Sequence, residues 1–156
     1  MKRLTSLFLF LSLTATLTAC SRLQTRAPFQ PELTQHLLAS NAFSEPLELL
    51  DADIAWMLYG LDQTALAPEQ LIAATAYRSS GATCEEVALL TFADEAAAQT
   101  AVNALDLYIP RQIQSNKDSR PAEIPKLEQV FMECRGNTVL LVVASDYEAT
   151  HDLLAP

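Results

Sequence analysis

The sequence predicts an α+β fold: a four-stranded sheet of two β-hairpins joined by a long helix, in the order αββαββα. Three observations lead there. Residues 87–92 (VALLTF) and 138–145 (TVLLVVAS) are short apolar runs rich in β-formers. Each follows a turn signal, Ser79-Ser80-Gly81-Ala82 before the first and Arg135-Gly136-Asn137 before the second. Between the two lies an alanine-rich stretch whose apolar residues recur at helical spacing.

The first element is a helix in LLDADIAWMLYGLD, residues 49–62. Asp51 suits the N-cap and Asp53 the positive N-terminal end. Ile54, Met57, Leu58 and Leu61 share one face, and Gly60 suits a left-handed C′ position. Trp56 is expected to pack on the sheet. Residues 71–79 (LIAATAYRS) are rich in alanine, but a strand there completes a hairpin with residues 87–92.

The long helix is expected over residues 94–119. Asp94 starts it, and Ala97, Ala101, Ala104, Leu105, Tyr108 and Ile109 form its buried stripe. Pro110 is expected to kink or split it, because proline removes one backbone hydrogen bond. Residues 126–134 read as the third strand. Residues 138–145 are apolar on both faces, which predicts a central strand covered from both sides. A last helix is expected over residues 146–154.

The start of the chain has a different character. Lys2 and Arg3 precede an apolar run of 14 residues, 4–17. That suits a secretory signal and is short for a membrane span, which needs roughly 20 residues. Leu17-Thr18-Ala19-Cys20 follows, resembling a bacterial lipobox, in which the cysteine is acylated and becomes the new N-terminus. The expected organisation is a lipoprotein signal peptide over 1–19, a lipidated flexible tether over 20–45 and a single extracytoplasmic domain over 46–156. The tether carries Pro28 and Pro31, with a short helical piece around residues 32–39. As flexible chain it would span roughly 25–30 Å. Cleavage leaves 156 − 19 = 137 residues, enough for one core. Loss of Lys2 and Arg3 moves the formal charge from −9 to −11. Such an acidic chain disfavours nucleic acid and anionic headgroups.

The stretch SSGATCEE, residues 79–86, has the ingredients of an active-site loop. Glu85 and Glu86 beside Cys84 raise a thiol pKa, the wrong direction for a nucleophile. Of the two histidines, His36 lies in the expected tether and His151 in the last helix. Ser79 and Ser80 lack the GxSxG turn. These residues therefore read as a hairpin turn, with Glu85 and Glu86 at the surface. Cys84 and Cys134 begin and end strands expected to run parallel, roughly 25 Å apart by strand rise. A disulfide needs Cα atoms within about 7 Å, so both are expected free. Asp51-Ala52-Asp53 lacks the remaining ligands of a calcium loop. The sequence holds no zinc spacing, P-loop, dinucleotide fingerprint or HExxH. No metal site and no cofactor are expected.

Taken together, the lipobox at Cys20, LDADIAWMLYGLD (50–62), YRSSGATCEEVALLTFAD (77–94), the alanine-rich helix, PKLEQVF (125–131) and GNTVLLVVASD (136–146) resemble a family of Firmicutes lipoproteins, domain of unknown function 4358. Pro110 and Cys84 depart from that family's pattern. The resemblance implies a lipid-anchored extracytoplasmic domain and no activity. The expected function is non-catalytic binding or scaffolding at the cell envelope, with the membrane engaged through lipid on Cys20 and an envelope protein as partner. Candidate binding residues are Trp56 and Tyr59 on the first helix and Ser79, Ser80, Gly81 and Thr83 at the hairpin tip. Two alternatives remain: an envelope thiol enzyme using Cys84 with His151, and a small-ligand carrier with a pocket between helix and sheet.

Overall fold

The computed structural model describes residues 26–155. Residues 1–19, expected to form a signal peptide, and Cys20 lie outside the described residues. The sheet has five strands, β1 (Leu47–Leu50), β2 (Leu71–Ser79), β3 (Glu86–Phe92), β4 (Phe131–Arg135) and β5 (Thr138–Val143). They lie in the order β1-β2-β3-β5-β4, and every neighbouring pair is antiparallel. The two expected hairpins, β2–β3 and β4–β5, are both present, and β3 and β5 meet at the centre. The strand that the sequence reading missed is β1, four residues at the edge with only its ends half-buried.

The helices are α1 (Glu32–Ala39), α2 (Ala52–Leu58), α3 (Glu95–Asn116), α4 (Ile124–Glu128) and α5 (His151–Leu154). The long helix α3 begins where Asp94 accepts a hydrogen bond from the Ala97 N–H at 2.8 Å. All six residues of its expected stripe are buried. Pro110 does not split it. The residue sits on the exposed side, and so does Asp106, whose carbonyl is the one that loses its helical donor. The third strand starts later than expected. Pro121 and Pro125 occupy first-turn positions of short helical pieces, and Leu127 buries from α4, so strand geometry begins only at Phe131.

Alternation along β3 sorts its side chains between two cores. Ala88, Leu90 and Phe92 join Val139, Leu141 and Val143 beneath α3, α2 and α4. Val87 and Leu89 join Leu140 and Val142 on the other face. As expected, β5 is buried along its whole length.

The second face is covered by the segment expected to be a tether. Phe29, Leu37 and Ala42 are buried there with Leu154 of α5. The Phe29 N–H donates to Thr138 Oγ1 at 3.0 Å, and the Arg135 guanidinium lies over the Phe29 ring at 4.1 Å. A sheet apolar on both faces needs two covers, and residues 28–44 supply much of the second. The fold therefore starts well before residue 46.

Leu37→Ala tests this cover directly. Leu37 is fully buried, so truncation should cost about 3 kcal/mol in urea unfolding, whereas a residue in a loose tether would cost nothing measurable.

Candidate functional site

The β2–β3 connection, residues 80–85, is a turn between strands, as expected, but its polar groups are turned inward. Glu85 and Glu86, expected at the surface, are both fully buried. Strand alternation sends the two carboxylates to opposite sides of the sheet.

Glu85 joins four parts of the chain. Its carboxylate accepts from the Ser44 N–H (2.8 Å), the Ser44 hydroxyl (2.7 Å), the Lys126 ammonium (2.8 Å) and the Ser145 hydroxyl. Burial opposes the charge, but the bonds from Lys126, Ser145 and Ser44 outweigh it, so the carboxyl titrates below its ordinary range. Lys126 also bonds Glu123 at 3.0 Å, and Glu123 accepts the Cys84 N–H at 2.9 Å.

Glu86 has a different environment. It points under α3, where the Tyr108 hydroxyl donates to Oε2 at 3.0 Å and Arg78 Nε lies 3.8 Å away. Arg78 Nη2 also donates to Gln112 at 3.0 Å. The other carboxylate oxygen of Glu86, Oε1, and the buried Tyr59 hydroxyl have no hydrogen-bond partner among the described residues. Tyr59 is close enough to favour the ionised carboxylate, but without hydrogen-bond geometry. Burial dominates and pushes the Glu86 pKa up to about 7, against the opposing pull of Arg78, Tyr108 and Tyr59. A carboxyl poised there suits proton transfer. Its side chain is only 1% exposed, however, and Tyr59, Tyr108 and Arg78 stand around it.

The hairpin tip is clamped from outside. Glu45 accepts from the Ser79 hydroxyl, from the Thr83 N–H (3.1 Å) and from the Thr83 hydroxyl (2.9 Å). These bonds hold the Glu45 carboxyl below its usual range. Arg120 donates to the Gly81 carbonyl at 2.9 Å. Gly81 has a φ of +152°, a value side chains rarely adopt, and its missing Cβ would meet open space. Of the four candidate residues here, Ser79 and Thr83 are committed to Glu45, while Ser80 and Gly81 are exposed.

The α2 candidates also separate. Tyr59 is not on the exposed side of the helix. It is fully buried and meets Tyr108 edge-to-face, centroids 5.2 Å apart. The buried face of α2 is Ala55 and Tyr59, which leaves the expected core residues Ile54 and Met57 exposed. Asp51 makes no side-chain cap bond, whereas Gly60 is left-handed at φ +72°. Trp56 is half-buried and lines an open groove of about 440 Å³ with Asp53, Met57, Pro68 and Leu71. Leu71 and Ser79 end the same strand, so the groove and the hairpin tip lie roughly 25 Å apart by strand rise and form separate surfaces.

Cys84 and Cys134 are both unpaired. Cys134 pairs with Val139, level with Leu90, towards the far end of β3 from Cys84. Burial pushes both thiols up. Cys84 belongs to the core beneath α3, while His151 is exposed on α5, which packs on the opposite face. Among the described residues no cluster of three or more His, Cys, Asp or Glu could hold a metal ion, and no helix is long and apolar enough to cross a membrane.

No protein-family model, no curated protein and no solved structure matches the chain.

Glu86 gives this arrangement a measurable pH signature. In the unfolded chain the carboxyl titrates near its ordinary value of 4.5, and in the fold at about 7. Between these values the folded state binds the extra proton, so the contribution of Glu86 to stability falls as pH rises. The loss approaches about 3 kcal/mol once pH exceeds 7. In Glu86→Gln this decline should disappear, and at pH 8 the variant should be at least as stable as the parent. Urea unfolding between pH 5 and 8 reads both effects; an unchanged slope in the variant would mean that Glu86 is not the titrating group.

Proposed function

We propose that this chain is a non-catalytic binding or scaffolding domain, held outside the cytoplasm on a membrane face by lipid on Cys20. The observation that carries the non-catalytic part is the engagement of the reactive-looking loop. Glu85, Ser79, Thr83 and the Cys84 backbone each bond other parts of the fold. Residues so committed set the position of a loop and are not free to take a substrate. The Cys84 thiol is buried with a raised pKa, which suits an inert core cysteine. His151 lies on the other side of the sheet from it. A carrier needs space between helix and sheet, yet Ala88, Leu90, Leu141 and Val143 are fully buried there.

The anchored part rests on the order of signals in the first twenty residues, a basic start, an apolar run and Leu17-Thr18-Ala19-Cys20. Acyl chains contribute about 0.8 kcal/mol per buried methylene, so two or three make attachment effectively permanent. Binding would then fall to the exposed surfaces, the tip at Ser80 and Gly81 or the groove at Trp56.

Cells expressing the full chain should incorporate an alkyne-tagged fatty acid into it and retain it in the membrane fraction. Cys20→Ala should lose the label and leave the membrane pellet; a variant that stays labelled would remove the anchor from this reading. The thiol gives a second check. Iodoacetamide should modify Cys84 only as fast as the fold opens. Rapid modification of Cys84 itself in the native protein, located by peptide mapping, would instead revive the thiol-enzyme alternative.

A further inference from the structure

The exposed apolar surface of this domain gathers where α2 meets the start of β2. Ile54 and Met57 project from α2, and Ile72 projects from β2, with exposures of 43%, 58% and 62%. Trp56, Pro68 and Leu71 form the floor and wall of the adjoining groove. A register shift between Leu71 and Ala73 makes Ile72 the extra residue of a bulge, which turns its side chain out of both cores. The strand beside it is also incomplete. Because β1 ends at Leu50, opposite Ala76, no strand lies along the outer edge of residues 71–75 among the described residues.

The charge around this surface has one sign. Glu48, Asp51, Asp53, Asp62 and Glu69 are all exposed, and Asp53 lines the groove itself. From residue 37 to residue 77 the sequence contains no Lys, Arg or His. Arg78 is engaged by Glu86 and Gln112, and Arg111 lies beside Gly60 and Gln63, past the C-terminal end of α2.

Resting on the reading of the chain as a binding domain, we propose that the α2–β2 edge docks an extended, basic segment of a partner protein, which lies along residues 71–75 and seats an apolar side chain in the Trp56 groove. Strand addition gives backbone hydrogen bonds to an open edge, and alternate side chains supply specificity. Lysine or arginine on the segment meets the acidic rim, which steers encounter and excludes acidic competitors. A second copy of this chain fits poorly, because it would oppose the same acidic rim to itself. An anionic membrane surface is repelled for the same reason. The chain also enters the described fold at the other side of the sheet, where Arg26 pairs with Glu133 of β4 at 2.6 Å.

Selection of a displayed random-peptide library on the full-length lipoprotein in detergent micelles tests the proposal. Enriched peptides should carry net positive charge with interspersed apolar residues. Their binding should shift the emission of Trp56, the single tryptophan, and should weaken as salt is raised. In Met57→Lys/Ile72→Lys, affinity should fall about tenfold or more, because both apolar anchors are lost and positive charge is added. Both side chains are exposed, so thermal unfolding should be unchanged. A control at Leu107→Lys, exposed on α3, should bind as the parent does. No enrichment, enrichment of acidic or uncharged peptides, or binding that survives Met57→Lys/Ile72→Lys would overturn the proposal. Photocrosslinking in cells separates this failure from that of the wider reading. A partner trapped from position 81 but not from 57 keeps the binding domain and rejects this edge; no partner from either position rejects both.

Discussion

One buried carboxylate ties this fold together. Glu85 sits where the β2–β3 hairpin begins its second strand, and it bonds Ser44 from the N-terminal cover, Lys126 from α4 and Ser145 just after β5. These segments are far apart in sequence, Ser44 and Lys126 each 41 residues from Glu85 and Ser145 60. A charge without water must find partners of good geometry, or it costs several kcal/mol. Satisfying it fixes where each segment leaves the sheet. The clamps on the hairpin tip follow. With Ser44 held, Glu45 is placed to take Ser79 and Thr83, and with Lys126 held, Glu123 is placed to take the Cys84 N–H.

The two adjacent glutamates show how strongly surroundings decide the chemistry of one side chain. Glu85 has a cation and three serine donors, so it titrates low despite complete burial. Glu86, one residue on and on the other face, has a tyrosine hydroxyl and a more distant guanidinium, so burial prevails and it titrates near 7. The first favours one folded arrangement by staying charged. The second is an adverse group near neutral pH, held in place by the hydrophobic strand that follows it.

Most of the sheet was legible because its signals are local. The hairpin turns, the alternation of β3, the apolar run of β5 and the stripe of α3 each lie within one short stretch. What escaped depends on distant contacts. The strand β1 is four residues whose pairing with Ala76–Ser79 nothing nearby announces. The N-terminal segment reads as tether because Pro28, Pro31 and polar residues surround the few apolar side chains, Phe29 and Leu37 among them, that bury. On α2, only two turns long, tertiary contact of Tyr59 with Tyr108 rotated the buried face away from Ile54 and Met57. The buried glutamates read as solvated because their partners lie elsewhere, Lys126 being 41 residues from Glu85. One available signal was phase: Glu86 alternates in step with Ala88, Leu90 and Phe92, on the side of the sheet that α3 covers.

The role given to Glu85 rests on its coupling with Lys126, and a double-mutant cycle measures that coupling most directly. Glu85→Gln, Lys126→Met and the double variant would be compared with the parent by urea unfolding at pH 7. Each single change should cost about 3 kcal/mol, and the double variant should cost clearly less than their sum, by about 2 kcal/mol. Strict additivity, or single costs of only a few tenths of a kcal/mol, would contradict the view that this buried pair sets the arrangement of the fold.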